Sequence, residues 1–224
     1  SFYSSLIYNS IIGSTLNKIK FGLNYSYDDF DEIVEKNDVF YNRIDKSIGG
    51  FFEYSYDSMD AVSLVAGIRY DIHNNLGNFF TPRIHMRYQP YEKSVLRLSL
   101  GTGRKSSNIF SENQNVFATG REIKISNNSG KFYGLDPEKA INYGLSFRQG
   151  FFINNREGDI TFDYYVTDFD NQIVVDWETQ GELSFYNLNG KSFSKSLQID
   201  LEYQIIDNVL LKSTFKNYDV IKTI

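Results

Sequence analysis

Hydrophobic and polar residues alternate with a period of two along most of the chain. The pattern begins at the first residues and is clearest in 19–27, 62–70 and 197–205, where every second residue is apolar. This period predicts β-strands with one apolar and one polar face. We find no convincing segment with the 3.6-residue period of an amphipathic helix. The sequence therefore predicts an all-β chain of about ten strands.

The breaks between these strands alternate between short and long. Tight turns are predicted at 13–17, 57–60, 90–93, 154–158 and 207–208. Mostly longer polar segments lie between them, at about 29–46, 73–79, 104–137 and 176–191. Transmembrane β-barrels have short turns on one rim and long loops on the other. We therefore predict an antiparallel up-and-down meander that forms part of a transmembrane β-barrel, either partial or open.

The two strand faces leave two interpretations open. In a membrane barrel the apolar face meets lipid and the polar face lines a wet lumen. In a soluble β-rich module that binds carbohydrate or another ligand, the apolar residues, such as Leu96, Leu98 and Leu100, lie in a dry core. Tyrosines near the strand ends favour the membrane interpretation slightly, because aromatic girdles mark membrane interfaces.

Composition narrows the possible functions. The 224 residues carry a formal net charge of −5, which makes the chain a poor candidate for nucleic-acid binding. Cysteine is absent, which excludes disulfides, thiolate metal sites and cysteine nucleophiles from this chain. No apolar run approaches the ~18 residues of a membrane helix.

Several short motifs suggest catalysis or cofactor binding, but each lacks the spacing or the partner residues that such a site requires. Residues 101–106 contain Gly, Lys and Ser but lack the spacing of a phosphate-binding loop. His73 and His85 are the only histidines, and no carboxylate cluster completes a metal site around them. The acidic residues at 28–32 do not match a calcium-binding loop. We therefore predict no catalytic residues, no metal and no cofactor, and we do not expect an enzyme.

The long loops contain the best candidates for ligand contact. Loops longer than ~12–15 residues are usually functional or disordered. Cations, amides and aromatic rings there suit an anionic or oxygen-rich ligand. The candidate ligand-contacting residues are Arg104, Lys105, Asn108, Phe110, Arg121 and Trp177. Lys124 and Lys131 add further positive charge to the first loop.

Several short motifs follow one another in a specific order between about 60 and 205. Leu135–Tyr143 has the pattern Leu-x-Pro-Glu-x-Ala-x-Asn-Tyr. The other motifs are Val65–Asp71, Phe80–Arg83, Tyr88–Pro90, Leu96–Arg104 and Tyr186–Lys191. Together they resemble TonB-dependent outer-membrane receptors of the kind common in the Bacteroidetes group. Gly144 and Ser196 stand where members of that family often carry Glu and Gly.

The resemblance implies a barrel of about 22 strands around a plug. It also implies a Gram-negative outer membrane, an extracellular small ligand and energy supplied through TonB. On this basis residues 1–224 are a single barrel segment from which the plug domain, the TonB box and the terminal strand are absent. We predict a barrel-wall segment of a transporter for a scarce ligand such as a ferric siderophore, a cobalamin-like cofactor or a glycan. Its expected partners are the lipid bilayer, the extracellular ligand, and the plug and TonB in the full-length parent, but not nucleic acid.

Overall fold

The computed structural model describes residues 1–34, 39–59, 61–126 and 132–223. Ten strands form one antiparallel sheet, and each pairs with its neighbour in the meander. They are β1 (Phe2–Ile12), β2 (Ser14–Val34), β3 (Val39–Asp57), β4 (Val62–His73), β5 (Gly77–Tyr91), β6 (Ser94–Lys105), β8 (Glu138–Ile153), β9 (Arg156–Asp170), β12 (Lys191–Ile206) and β13 (Val209–Thr223). The predicted ten-strand meander is confirmed.

Smaller elements fill the connections on one rim. These are α1 (Ile109–Glu112), a 3₁₀ helix (Gln114–Ala118), β7 (Glu122–Ile125), β10 (Ile173–Asp176) and β11 (Glu182–Asn187). We call this rim the loop rim, and the opposite rim, with the five tight turns, the turn rim. Among the described residues no helix is long and apolar enough to cross a membrane.

Asparagine sets one of the tight turns. Asn154 and Asn155 join β8 to β9 with φ angles of 52° and 62°. A two-residue hairpin turn of type I′ requires positive φ at both positions, and asparagine tolerates that conformation better than most residues. The sequence therefore fixes a short connection on the turn rim.

Two of the predicted long loops are wrong. Most of 29–46 is strand, because β2 continues to Val34 and β3 begins at Val39, in register throughout. The acidic residues in this segment have low strand propensity, but cross-strand pairing overrides that preference. The segment 73–79 is also mostly strand around a short turn, in which Gly77 has a φ of 72°.

Burial is inverted relative to a water-soluble protein. Leu98 and Leu100 are 43% and 47% exposed, whereas Asp71 and Asn24 on the other face are 4% and 7% exposed. A sandwich would hide the leucines and expose the charges. The dry core that the soluble alternative places at Leu98 and Leu100 is therefore absent. The apolar face of the main sheet is exposed, as it is in the wall of a membrane barrel.

The apolar band runs obliquely across the sheet. One row of residues, paired side by side across the strands, runs from Ile19 in β2 to Val166 in β9. In β2 this row lies at the turn-rim edge of the band, because Ile19 is the band's first apolar residue there. In β9 it lies at the loop-rim edge, because Val166 is the last apolar residue before Asp168. The row passes through Tyr54, Ala66, Ile84, Leu100 and Tyr143. In strands tilted by ~40° and spaced ~4.8 Å, a membrane plane shifts by about one residue per strand. The drift therefore indicates the tilted strands of a barrel wall.

Candidate ligand-binding site

The two long connections of the loop rim fold together into one small unit. β10 pairs antiparallel with β11, and β11 pairs in parallel with β7. Because β7 comes from one connection and the other two strands from the next, neither connection forms this sheet alone. We call residues 106–126, 132–137 and 171–190 the cap.

The cap contains the dry core of this chain. Alternating apolar residues of β7 and β11 face α1 and exclude water. The side chains that are almost fully buried there are Ile109, Val116, Leu183 and Phe185. The cap therefore has a packed core like that of a globular domain, although the sequence predicts two long polar loops in these segments.

Aromatic rings join the cap to the polar face of the β2–β3 extension. Tyr41 of β3 contacts Phe110 and Tyr133, with ring centroids 5.7 and 4.9 Å apart. These distances are typical of aromatic pairs, which add stability beyond their buried area. The cap is thus fixed to the strands beyond the apolar band.

A hydrogen bond supports the same junction. The Tyr133 hydroxyl donates to a carboxylate oxygen of Glu32. Burial, and then the nearby Glu32 carboxylate, raise the pKa of Tyr133 well above its ordinary value. Tyr133 therefore stays a neutral donor throughout the physiological pH range.

Arg43 is the most enclosed cation of the junction, at 4% exposure. Its guanidinium lies 4.4 Å from the Phe30 ring centroid and 3.9 Å from that of Phe132, and it donates to the side chain of Asn108. The Asp45 carboxylate lies 3.0 Å from Nε, without hydrogen-bond alignment, and Nη1 has no partner. Stacking between two rings suits the planar guanidinium better than an ammonium group.

Two predicted ligand contacts meet on the cap surface. The Arg121 guanidinium lies 5.7 Å from the Trp177 ring centroid and donates to the Trp177 carbonyl. Trp177 is 36% exposed and Arg121 is half-buried, so the ring and part of the cation are accessible to solvent. The two residues lie 56 positions apart in sequence, and only the pairing of the two connections brings them together.

Lys105 and Arg104 lie at the base of the cap and do not join this pair. Lys105 is exposed and forms an ion pair of 2.6 Å with Glu112. Arg104 donates to the Leu76 carbonyl at 3.1 Å and lies 5.2 Å from the Phe79 ring centroid. Arg104 therefore belongs to the wall between β5 and β6.

The structure corrects the roles predicted for Phe110 and Asn108. Phe110 is only 6% exposed and packs in the cap core, so its ring is not available to clamp a ligand. The Asn108 side chain accepts from Arg43, and its backbone begins α1. Both residues shape the cap rather than its surface. Lys131, another predicted cation, lies outside the described residues.

The remaining polar candidates have structural partners. His73 accepts two backbone hydrogen bonds of 3.1 Å, from Asn75 and Leu76, in the β4–β5 turn. Asp170, at the end of β9, pairs with Lys139 at 3.1 Å. Within the ranges that the structure describes, no group of three or more acidic or histidine side chains is arranged to hold a metal ion.

Sequence reasoning missed a charged groove of 570 Å³ on the polar face. Arg69 forms two hydrogen bonds of 2.6 and 2.5 Å with Asp71, and Arg83 pairs with Glu53 across the neighbouring strand. Alternation places these residues on one face, and Arg69 and Asp71 lie two residues apart on one strand. The Arg83–Glu53 pair depends on the cross-strand register, which alternation does not give.

The main sheet is an antiparallel meander whose apolar face is exposed and whose apolar band runs obliquely. Together with the folded loop rim, these features define the wall of a transmembrane β-barrel. The family model for TonB dependent receptor-like β-barrels matches residues 2–221. The chain therefore belongs to the TonB-dependent receptor family. The Bacteroidetes-type affinity of its motifs stays a prediction.

Solved structures of receptors have the same fold. A variant of the ferric enterobactin receptor of Pseudomonas aeruginosa covers 96% of the chain at a TM-score of 0.70 and 13% identity. The siderophore receptor PirA of Pseudomonas aeruginosa covers 97% at 0.69 and 14%, and the copper transporter OprC covers 93% at 0.62 and 12%. The chain spans 35%, 40% and 35% of these three proteins, respectively. No curated protein matches it by sequence.

Proposed function

We propose that this chain is a wall segment of an outer-membrane receptor that imports a scarce small ligand. The exposed apolar face supports a position in lipid, and the folded loop rim supports recognition outside the cell. Family membership supports energy coupling through a plug and TonB. The family and the similar structures are receptors and transporters, which supports transport ahead of catalysis.

We propose that the ligand is anionic and carries flat rings, as a ferric siderophore with aromatic chelating groups does. The single observation that carries this proposal is the pairing of half-buried Arg121 with the exposed Trp177. A guanidinium attracts anionic oxygens, and an indole stacks on flat rings. The names of similar structures, a ferric enterobactin receptor and a siderophore receptor, support iron chelates ahead of a cobalamin-like cofactor or a glycan.

Orientation in the membrane is testable with single cysteines, because this chain contains none. Thr179→Cys places a thiol on the cap, and Glu92→Cys places one in the β5–β6 turn. We expect a membrane-impermeant maleimide to label position 179 on intact cells, and position 92 only after the cells are opened. Labelling at position 92 but not at 179 would show the opposite orientation. Equal labelling at both positions would show that the chain does not lie in a sealed membrane.

Growth of a strain lacking the full-length gene tests the ligand class. We expect slower growth than the parent under iron limitation with ferric enterobactin as the iron source, and recovery with excess inorganic iron. Normal growth there, with a defect under cobalamin limitation or on a glycan as sole carbon source, would contradict the iron-chelate assignment. No defect under any of the three conditions would contradict import.

Variants of the Arg121–Trp177 pair test the proposed contact. In the full-length receptor, Arg121→Gln and Trp177→Leu should each weaken binding of ferric enterobactin about tenfold in a titration, because each removes one attractive group. Lys124→Gln is the matched control, since Lys124 is a nearby cap cation that pairs with Glu182 instead. Equal losses in all three variants would indicate only nonspecific attraction by positive charge.

A further inference from the structure

The wall has a gap between β5 and β6 near the loop rim. The last pair between these strands toward the loop rim joins Arg83 to Gly101. β5 nevertheless begins at Gly77 and β6 continues to Lys105, so the ends of the two strands run on without pairing to each other. Pro82 lies in the next row and has no N–H to donate. Beyond this point β6 is paired only with β8.

Cavities on the two sides of the sheet meet at this gap. The charged groove on the polar face and a second cavity of 420 Å³ share six lining residues. These shared residues are Phe79, Thr81, Pro82, Thr102, Gly103 and Arg104. Unpaired strand edges are not tolerated in hydrocarbon unless a polar group covers them. We therefore expect a polar group to cover the unpaired backbone groups of this gap, at the level of the lipid headgroups.

An apolar cavity follows directly along the same strands. The cavity of 420 Å³ includes the row of Pro82, Thr102 and Ile141. Another cavity, of 440 Å³, contains the next two apolar-face rows toward the turn rim. It is lined mainly by Ile84, Leu98, Leu100, Tyr143, Leu145 and Tyr164. The two cavities share no lining residue, but they lie on neighbouring rows of the apolar face. We call the two together, with a polar end and an apolar end, the lipid groove.

The length of the lipid groove matches one leaflet of a membrane. Arg104 and Leu98 lie six residues apart in β6, which corresponds to about 20 Å along a strand. At a tilt of ~40° this spans about 15 Å of depth, roughly half of the ~30 Å hydrocarbon core. An acyl chain that lies along the groove therefore stays within the outer leaflet.

The polar end of the groove offers donors for an anion. Arg104 has no carboxylate partner among the described residues and uses one N–H on the Leu76 carbonyl. The Thr102 hydroxyl is buried and has no hydrogen-bond partner. Lys139, Asp168 and Asp170 line the same cavity, and Lys139 pairs with Asp170. Of the described cations of this cavity, Arg104 is therefore the one that has no carboxylate partner. A phosphate group would satisfy both the free guanidinium donors and, after a side-chain rotation, the orphaned hydroxyl.

We propose that the lipid groove binds one phosphate-bearing lipid of the outer leaflet, with its headgroup at Arg104 and Thr102 and an acyl chain along Leu98 and Leu100. The proposal rests on the proposed membrane location but not on the transported ligand. The lipid would close the β5–β6 gap from the membrane side and seal the charged groove behind it.

Native mass spectrometry of the full-length receptor tests this site. The protein is purified in detergent, and lipid retention is compared for phosphatidylglycerol and for diacylglycerol with the same acyl chains, which has no phosphate. Arg104→Gln removes the headgroup donor, and Leu100→Trp fills the apolar end. Lys195→Gln and Leu201→Trp are the matched controls, because these residues lie on the apolar-face rows but line neither cavity.

We expect the wild type and both controls to retain one phosphatidylglycerol preferentially, and Arg104→Gln and Leu100→Trp to lose it about tenfold. Equal retention of the two lipids, or equal loss in the controls, would overturn the proposal. Displacement by inorganic phosphate would indicate a free-anion site instead. Import of ferric enterobactin by Leu100→Trp, measured separately in cells, distinguishes failure of this site from failure of the proposed transport.

Discussion

At the scale of single residues, the junction between cap and wall depends on Arg43. A cation this buried is costly unless rings and acceptors surround it. Phe30 and Phe132 cover its two faces, and Asn108 accepts one of its N–H groups. Since Phe30 belongs to the strands and the other two residues to the cap region, Arg43 couples two parts of the chain that are far apart in sequence.

Replacing Arg43 should therefore release the cap. We expect Arg43→Met to lower the stability of the cap by about 3 kcal/mol, because Asn108 loses its donor and Asp45 its cation. The fluorescence of Trp177, the only tryptophan of this chain, reports the transition in a urea titration. Lys46→Met is the control, since Lys46 is an exposed cation of the same strand. A shift of equal size in both variants would contradict the role of Arg43.

Tyr133 should make the junction sensitive to alkaline pH. The folded protein raises the pKa of Tyr133 above the ordinary value of 10.0. Its contribution to stability is therefore complete below pH ~10 and is lost as pH rises further, because the unfolded chain releases the proton first. We expect cap unfolding, followed by Trp177 fluorescence in urea, to become easier above pH 10 in wild type. In Tyr133→Phe this extra sensitivity should be reduced, and an unchanged profile would contradict the assignment.

At the scale of strands, one glycine of the main sheet has a packing reason. Gly144 of β8 pairs with Tyr165 of β9, and the Tyr165 ring lies over it. A Cβ atom added at Gly144 would come 2.2 Å from the Tyr165 ring, well inside contact distance. The tyrosine therefore occupies the space that a longer side chain at 144 would need.

A substitution at this position should distort the β8–β9 pair. Gly144→Ala is expected to lower the free energy of unfolding by about 1–3 kcal/mol, because the Tyr165 ring must move. Gly103→Ala is a matched strand control, since a Cβ there meets nothing within 4 Å. Urea unfolding of the lipid-embedded protein measures both. A loss at 103 as large as at 144 would assign the effect to glycine replacement in general.

The sequence could predict strands far better than their ends. Period-two alternation identifies β2, β4, β9 and β12, because one face of each is apolar over at least four successive positions. The extensions around 29–46 were missed, since their strand character comes from pairing rather than from hydrophobicity.

The cap was hidden for a related reason. β7 and β11 are four and six residues long, and each needs a partner from another connection to form a sheet. Cations and aromatic residues could be nominated in these loops from composition alone. The strand register that joins Arg121 to Trp177 and buries Phe110 could not be predicted, because no local period encodes contacts between distant loops.

At the scale of the whole molecule, the inverted burial predicts how the chain behaves in solution. The apolar face carries exposed rings and aliphatic side chains from most strands of the main sheet. A patch of this extent associates in water unless lipid or detergent covers it. The edge strands β1 and β13 add unpaired backbone groups that favour further association.

Sedimentation of the purified chain, with circular dichroism in each state, tests this expectation. We expect β-rich, dispersed protein in detergent and aggregated protein without it. A folded monomer in plain buffer would contradict the membrane interpretation and return the soluble binding module to consideration. This measurement is independent of the ligand and of the lipid groove.

The connectivity of the cap also fixes an order of events during biogenesis. Each hairpin of the meander joins neighbours in sequence and forms by local search, which is fast. The parallel contact between β7 and β11 instead joins residues about sixty positions apart, across the β8–β9 hairpin, and so costs more loop-closure entropy. We therefore expect cap closure to be the late step. A stalled intermediate would then have paired wall strands and two loop-rim connections that are not yet joined.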